Sequence, residues 1–158
     1  MVSGCHAPVK AARARWWTRS PRVVIVGDWV YRIRGVQSAM LKTVPELVAE
    51  TRAGLRCVDA ATAMEEIRAN GGTIVDVREL VEVNNLTAPR SVHIPRGLLE
   101  MKVGEAIPDE DHPIYLHCAT GGRATLAAAQ LVKMGYTKVS VVTCPIGTVK
   151  EAQELFVD

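Results

Sequence analysis

The chain has few of the residues that mark several classes of protein. Its four cysteines, at positions 5, 57, 118 and 144 of 158 residues, form no CxxC pair. This spacing argues against a zinc site and against the disulfide framework of a small secreted protein. No apolar run approaches the eighteen residues of a membrane span, and the run at 23–26 is too short for a signal peptide. We therefore expect a cytoplasmic protein with reduced thiols, no metal or organic cofactor and no membrane contact.

Acidic residues are almost absent from the first part of the chain. Residues 1–42 carry eight Lys or Arg against a single acidic residue, Asp28, whereas the remainder has more acidic than basic residues. This change in composition predicts a basic N-terminal extension at 1–42 and one folded domain at 43–158. We expect the extension to be poorly ordered or loosely docked. A basic arm for nucleic acid or an acidic partner, and an organellar transit sequence, are the alternatives.

From residue 43 onward, short apolar runs alternate with helical patterns. Strands are predicted at 55–58, 73–77, 91–94, 114–116 and 138–142. Helices are predicted at 45–51, 60–68, 79–83, 97–103, 123–134 and 148–156. Such alternation predicts an α/β fold in which helices cover both faces of a mostly parallel sheet.

The segment His117-Cys118-Ala119-Thr120-Gly121-Gly122-Arg123 places a cysteine between a predicted strand and a predicted helix. A thiol reacts as its thiolate. Three features favour that anion: the positive end of the helix, the arginine, and loop N–H groups that the two glycines allow to converge. An inert buried cysteine before a plain turn is the alternative. The combination predicts a reactive Cys118, with His117 in a structural role on the opposite side of the strand.

Three segments in this order resemble the rhodanese-like sulfurtransferases. They are 73–79, which contains Asp-Val-Arg, 91–97, which contains His-Ile-Pro, and the cysteine loop. The resemblance covers about residues 55–156 and implies a rhodanese-like, single-domain catalytic unit at 43–158. By this resemblance, Cys118 takes a sulfane sulfur from a donor such as thiosulfate and passes it to cyanide, a thiol or a sulfur-carrier protein. The amides of Ala119, Thr120, Gly121, Gly122 and Arg123 would stabilise the persulfide, and Arg123 would attract an anionic donor.

The length of the cysteine loop separates this function from a related one. Protein tyrosine phosphatases have five residues between the cysteine and the arginine, whereas this chain has four. The shorter ring of amides predicts a cradle for one sulfur atom rather than for phosphate or arsenate. A phosphatase or arsenate reductase is therefore the less favoured alternative, and a catalytically idle module for binding or regulation stays open.

Four residues outside the loop are further candidates. Asp76 and Arg78 come at the carboxyl end of a predicted parallel strand, where α/β sheets place their sites. The resemblance implies that they brace the active-site loop. Arg96 either steers the substrate or is a solvated charge. Cys144 is either a resolving thiol for sulfur relay or an inert, buried cysteine.

Overall fold

The structure is a computed structural model that describes residues 41–155 and two short strands of the N-terminal segment. These strands, β1 (Val23–Val26) and β2 (Trp29–Arg32), pair antiparallel, with Val23 opposite Arg32. No strand is predicted here from the sequence, although the run of β-branched residues suits one. The other predictions for residues 1–40 lie outside the described residues. The chain divides into two units, Met1–Leu41 and Lys42–Asp158, one residue before the boundary predicted from composition.

The second unit alternates helices and strands in the predicted order. Its strands are β3 (Arg56–Val58), β4 (Thr73–Asp76), β5 (Val92–His93), β6 (Ile114–His117) and β7 (Val139–Val142). Its helices are α1 (Val44–Arg52), α2 (Ala60–Asn70), α3 (Leu80–Asn85), α4 (Leu99–Ala106), α5 (Gly122–Met134) and α6 (Ile146–Leu155), and a 3₁₀ turn at Arg96–Leu98 precedes α4.

The five strands form one parallel sheet in the order β3-β7-β6-β4-β5. The α/β class and the mostly parallel sheet predicted from the sequence are therefore confirmed. Because β4 and β6 are neighbours with Asp76 opposite His117, the residues that follow both strands meet at one edge. This edge, the carboxyl end of the sheet, contains the cysteine loop.

Local sequence signals set several helix ends. Thr43 and Glu46 form the capping box of α1, and the side chain of Asp59 accepts the Thr62 N–H at the start of α2. Gly71 and Gly135 end α2 and α5 in the left-handed conformation, which glycine adopts without steric cost. In the described part of the chain, no helix is both long and apolar enough to cross a membrane.

Helices α2, α3, α4 and α6 differ from their predicted ranges by two or three residues at an end, and contacts from outside the helix accompany the difference in α3 and α6. Helix α3 continues to Asn85, two residues past its predicted end, because the Arg78 guanidinium donates to the carbonyl oxygens of Glu82 and Leu86. Helix α6 begins at Ile146 rather than at 148, where the Ile146 N–H donates to the carbonyl oxygen of Ala119 in the cysteine loop. The contact at Ile146 joins residues 27 positions apart and is not visible in the local sequence.

Alternate side chains of the strands pack into two apolar clusters, one on each face of the sheet. The first cluster includes Leu116, Val141 and Cys118, together with the buried alanines of α5. The second includes Tyr115 and Val142, and Cys144 packs against it. The two candidate cysteines therefore belong to different clusters.

Candidate active site

The cysteine loop is held between β6 and α5 with its thiol turned inward. Cys118 is 1% exposed, and the N–H of Gly121 lies 3.2 Å from its Sγ. Helix α5 begins one residue later, at Gly122, so the sulfur lies at the amino end of the helix. The first N–H groups of a helix have no partner within the helix, and this end carries partial positive charge. The positive end of α5 therefore lies beside Sγ.

The two glycines of the loop have different structural roles. Gly121 has a φ of 85°, and a Cβ on it would lie 3.3 Å from the Cα of Thr143 and 3.3 Å from Nη2 of Arg52. Gly122 has no positive φ, and a Cβ on it would make an ordinary contact with Val48. Gly121 is thus required by conformation and by space, whereas Gly122 is simply the first residue of α5.

Arg123 is bound by a glutamate that the sequence analysis did not single out. Its Nη1 and Nη2 donate to the two carboxylate oxygens of Glu82, each at 2.6 Å. The hydrogen bonds from Arg123 lower the pKa of Glu82 to about 2. They also raise the pKa of Arg123, to which the nearby sulfur of Cys118 contributes less. The guanidinium therefore stands beside the thiol with most of its charge already compensated.

Asp76 and Arg78 form a buried ion pair that supports α3. The side chains are each 2% exposed, and Nη2 of Arg78 lies 2.6 Å from Oδ2 of Asp76. The remaining donors of Arg78 bind carbonyl oxygens of Glu82 and Leu86, at 3.3 and 2.8 Å. Since Glu82 in turn holds Arg123, the pair reaches the cysteine loop through α3.

Arg52, at the end of α1, also reaches the loop, although no motif in the sequence indicates it. Its Nε and Nη2 donate to Oγ1 of Thr125, at 3.3 and 3.2 Å. The hydroxyl of Thr125 donates to the Gly121 carbonyl oxygen at 2.8 Å. Arg52 is therefore connected through one side chain to the residue whose N–H touches Sγ.

His117 lies next to Asp76 in a buried polar network. Its Nε2 is 2.9 Å from Oγ of Ser91, which also accepts the Gln153 amide, and 3.8 Å from Oδ2 of Asp76. Burial lowers the pKa of His117 to about 4, with the Asp76 charge opposing that shift. The ring is therefore neutral near pH 7, which fits the structural role predicted for it.

The structure does not bring the other two candidates to the thiol. Arg96 forms an ion pair with Glu100, one turn away at 2.8 Å. Cys144 packs on the second apolar cluster, and its Sγ accepts the N–H of Ala60 at 3.3 Å. Within the loop, Ala119 is half-buried and Thr120 is exposed. Among the described residues, no three His, Cys, Asp or Glu side chains are grouped to hold a metal ion.

A comparison with protein-family models matches residues 59–144 to the rhodanese-like domain. The matched region is more than half of the chain and contains Asp76, Arg78 and the whole cysteine loop. The chain therefore belongs to the rhodanese-like domain family. The resemblance inferred from the three sequence segments is confirmed for family and fold.

Two curated proteins match this chain over 66 residues each, which is 42% of its length. The "Putative sulfur carrier protein YrkF" of Bacillus subtilis is 39% identical, and the match covers 35% of it. A "Sulfurtransferase" of Allochromatium vinosum is 32% identical, and the match covers 60% of it. The chain thus spans between about a third and three fifths of the length of these relatives.

A solved structure from Rhodopseudomonas palustris shares the fold. It belongs to a protein described as of unknown function and as a "possible tyrosine phosphatase". The two chains superpose with a TM-score of 0.63 at 23% sequence identity, over 75% of this chain and 96% of that one. At this identity the likeness concerns the fold alone.

Proposed function

We propose that this protein is a sulfurtransferase in which Cys118 carries a sulfane sulfur as a persulfide. The observation that supports this most directly is the 3.2 Å contact between the Gly121 N–H and Sγ, at the amino end of α5. A persulfide is an anion, and a helix amino end stabilises one. The names of the two curated relatives, a sulfur carrier and a sulfurtransferase, agree with this chemistry.

The transfer has two steps, each a displacement at sulfur. With thiosulfate as donor, the Cys118 thiolate attacks the outer sulfur, the Sγ–S bond forms, the S–S bond of thiosulfate breaks, and sulfite leaves with the electron pair. In the second step cyanide, or a thiolate, attacks the outer sulfur of the persulfide and regenerates the Cys118 thiolate. Every bond that forms or breaks in these two steps includes a sulfur atom. The steps therefore need no organic cofactor.

The size of the cradle favours sulfur over phosphate as the transferred group. Four residues separate Cys118 from Arg123, and Cys118 is 1% exposed. A nearly buried thiol under a short loop leaves room for one additional atom more readily than for a tetrahedral oxyanion. Exclusion of water from such a site also strengthens the stabilisation of charge by the loop N–H groups.

The proposal is tested by loading the purified protein with thiosulfate and measuring its intact mass. We expect a gain of one sulfur atom on Cys118, followed by thiocyanate formation when cyanide is added. Cys118→Ser should lower turnover by about a thousand-fold or more, because the reaction loses its nucleophile. Cys57→Ala, which removes an exposed thiol, is the matched control.

Four results would count against this function. One is a wild-type protein that gains no sulfur from either thiosulfate or inorganic polysulfide. Another is a Cys118 that iodoacetamide does not label near neutral pH. Hydrolysis of p-nitrophenyl phosphate without sulfur transfer would favour a phosphatase, and no activity in any assay would favour a binding or regulatory module.

Loss of turnover in Cys144→Ala would instead indicate sulfur relay through that residue.

A further inference from the structure

Two arginines reach the cysteine loop, and their charges are compensated differently. Arg123 is bound by both carboxylate oxygens of Glu82. In the part of the chain that the structure describes, Arg52 forms no ion pair, and its guanidinium donates to the neutral hydroxyl of Thr125. Arg52 is also only half-buried. An incoming anion therefore meets a compensated charge at Arg123 and an uncompensated one at Arg52.

The guanidinium of Arg52 lies over the residue that touches the thiol. The position of a Cβ on Gly121 would be 3.3 Å from Nη2 of Arg52, and the N–H of Gly121 is 3.2 Å from Sγ of Cys118. The absence of a side chain at Gly121 thus leaves the guanidinium close to the loop backbone. The guanidinium of Arg52 and Sγ of Cys118 therefore both lie against Gly121.

The electrostatics of this arrangement also point to an anion. The amino end of a helix attracts anions and repels cations. Arg52 ends α1, whose carboxyl end accommodates its charge, but its guanidinium contacts Thr125 in the first turn of α5. The guanidinium of Arg52 and the positive amino end of α5 repel each other. An anion bound between them would be attracted by both. The thiol marks where that anion would react.

We propose that Arg52 binds the oxyanion group of the sulfur donor and thereby selects donors that carry a sulfonate, such as thiosulfate. This inference rests on the sulfur transfer proposed above. In the first step, Arg52 pairs with the sulfonate oxygens while Sγ forms a bond to the outer sulfur. The S–S bond of thiosulfate breaks, and sulfite leaves with the electron pair. Arg52 stays paired with the sulfite oxygens until sulfite leaves. Arg123, held by Glu82, positions the loop.

This role would belong to α1 and not to the matched domain. Arg52 precedes residues 59–144, the region that the family model covers. Helix α1 packs against α5, and Val48 contacts the start of α5 near Gly122. The donor preference is then set by a helix that lies outside the matched region.

The test compares thiosulfate with inorganic polysulfide, a sulfane donor without oxygen, in the full-length chain. Arg52→Gln should raise the KM for thiosulfate by about ten- to a hundred-fold, the range expected for losing charged hydrogen bonds, and change kcat by less than about three-fold. Persulfide loading by polysulfide should stay within about two-fold of wild type. Arg52→Lys should recover part of the lost affinity because it keeps the charge.

The matched control removes the same charge far from the thiol. Lys133 is exposed in the last turn of α5, about 16 Å along the helix from Gly122. Lys133→Gln should leave the thiosulfate KM unchanged within about two-fold. Raising the salt concentration should weaken thiosulfate binding in the wild type and in this control more than in Arg52→Gln, because salt screens the charge of Arg52.

Each remaining outcome separates this inference from the proposed function. If Arg52→Gln slows both donors equally, Arg52 supports the loop structurally and binds no donor, and if it changes neither, the proposal is overturned. A wild-type protein that accepts sulfur from polysulfide but not from thiosulfate also overturns the inference, while sulfur transfer stands. If neither donor loads Cys118, the proposed function itself fails.

Discussion

The two ends of the parallel sheet each hold an arginine bound to a glutamate, but they differ in which polar groups lack a partner. At the amino end, a cavity of about 350 Å³ is lined by Arg56, Glu66, Asn70, Tyr115 and Ser140, among others. Arg56 binds Glu66 and Ser140, and the Tyr115 hydroxyl donates to Glu66 and accepts from Asn70. These polar groups satisfy one another.

At the carboxyl end the arrangement is incomplete. Arg123 and Glu82 are paired, the N–H of Gly121 lies 3.2 Å from the Cys118 sulfur, and within the described residues Arg52 has no carboxylate partner. The cavity is at one end of the sheet, whereas Arg52 and the cysteine loop are at the other. In this protein the cavity therefore does not coincide with the end of the sheet that carries the cysteine loop.

The largest effect on stability is expected from breaking the buried ion pair at the carboxyl end. Asp76→Ala leaves Arg78 charged and unpaired in the interior, so the free energy of unfolding measured in urea should fall by about 3–5 kcal/mol. Arg96→Gln, which breaks the partly exposed pair with Glu100, should cost less than about 1 kcal/mol. Similar losses in the two variants would contradict the support of α3 by Arg78.

A smaller effect is expected from pH, also at the carboxyl end. His117 has a pKa of about 4 when folded, against 6.5 as its ordinary value, so the unfolded chain binds more protons between these values. The contribution of His117 to the free energy of unfolding is therefore complete above pH 6.5 and is lost as the pH falls toward 4. Between pH 6.5 and 4.5 the free energy of unfolding should drop by about 2 kcal/mol.

The control for this pH effect is His117→Gln. Its unfolding free energy should vary less with pH over the same interval, whatever its absolute stability. The carboxylate of Glu82, whose pKa is lowered from 4.5 to about 2, contributes its own loss only at lower pH. An identical slope in wild type and variant would show that His117 does not carry the effect.

The smallest effect is expected at the amino end. Tyr115→Phe removes the hydroxyl that joins Glu66 and Asn70, and should cost about 1 kcal/mol of unfolding free energy. Sulfur transfer should remain within about two-fold of wild type, because this network lies at the opposite end of the strands from Cys118. A marked loss of sulfur transfer in Tyr115→Phe would show that the amino end of the sheet also contributes to the reaction at the carboxyl end.

The fold and the position of the candidate cysteine between a strand and a helix could be predicted because their signals are local. The strand, the cysteine, the glycines and the start of α5 are consecutive in the chain, and the cap residues Thr43 and Asp59 act within one turn. Predicted boundaries differed where a group distant in the chain intervened, as Ala119 does at the start of α6. Glu82 and Arg52 were missed because nothing in their neighbouring residues indicates what they contact.

The sequence by itself determined the α/β class, the order of the elements and the position of the cysteine before a helix, since hydrophobic period, capping residues and glycines act over a few residues. Only the tertiary structure decided how the charges around that cysteine are shared. Glu82 lies 41 residues from Arg123, and Arg52 lies 73 residues from Thr125. Electrostatic compensation depends on distance in space, and that distance exists only after the strands have aligned and α1 and α3 have packed beside the loop.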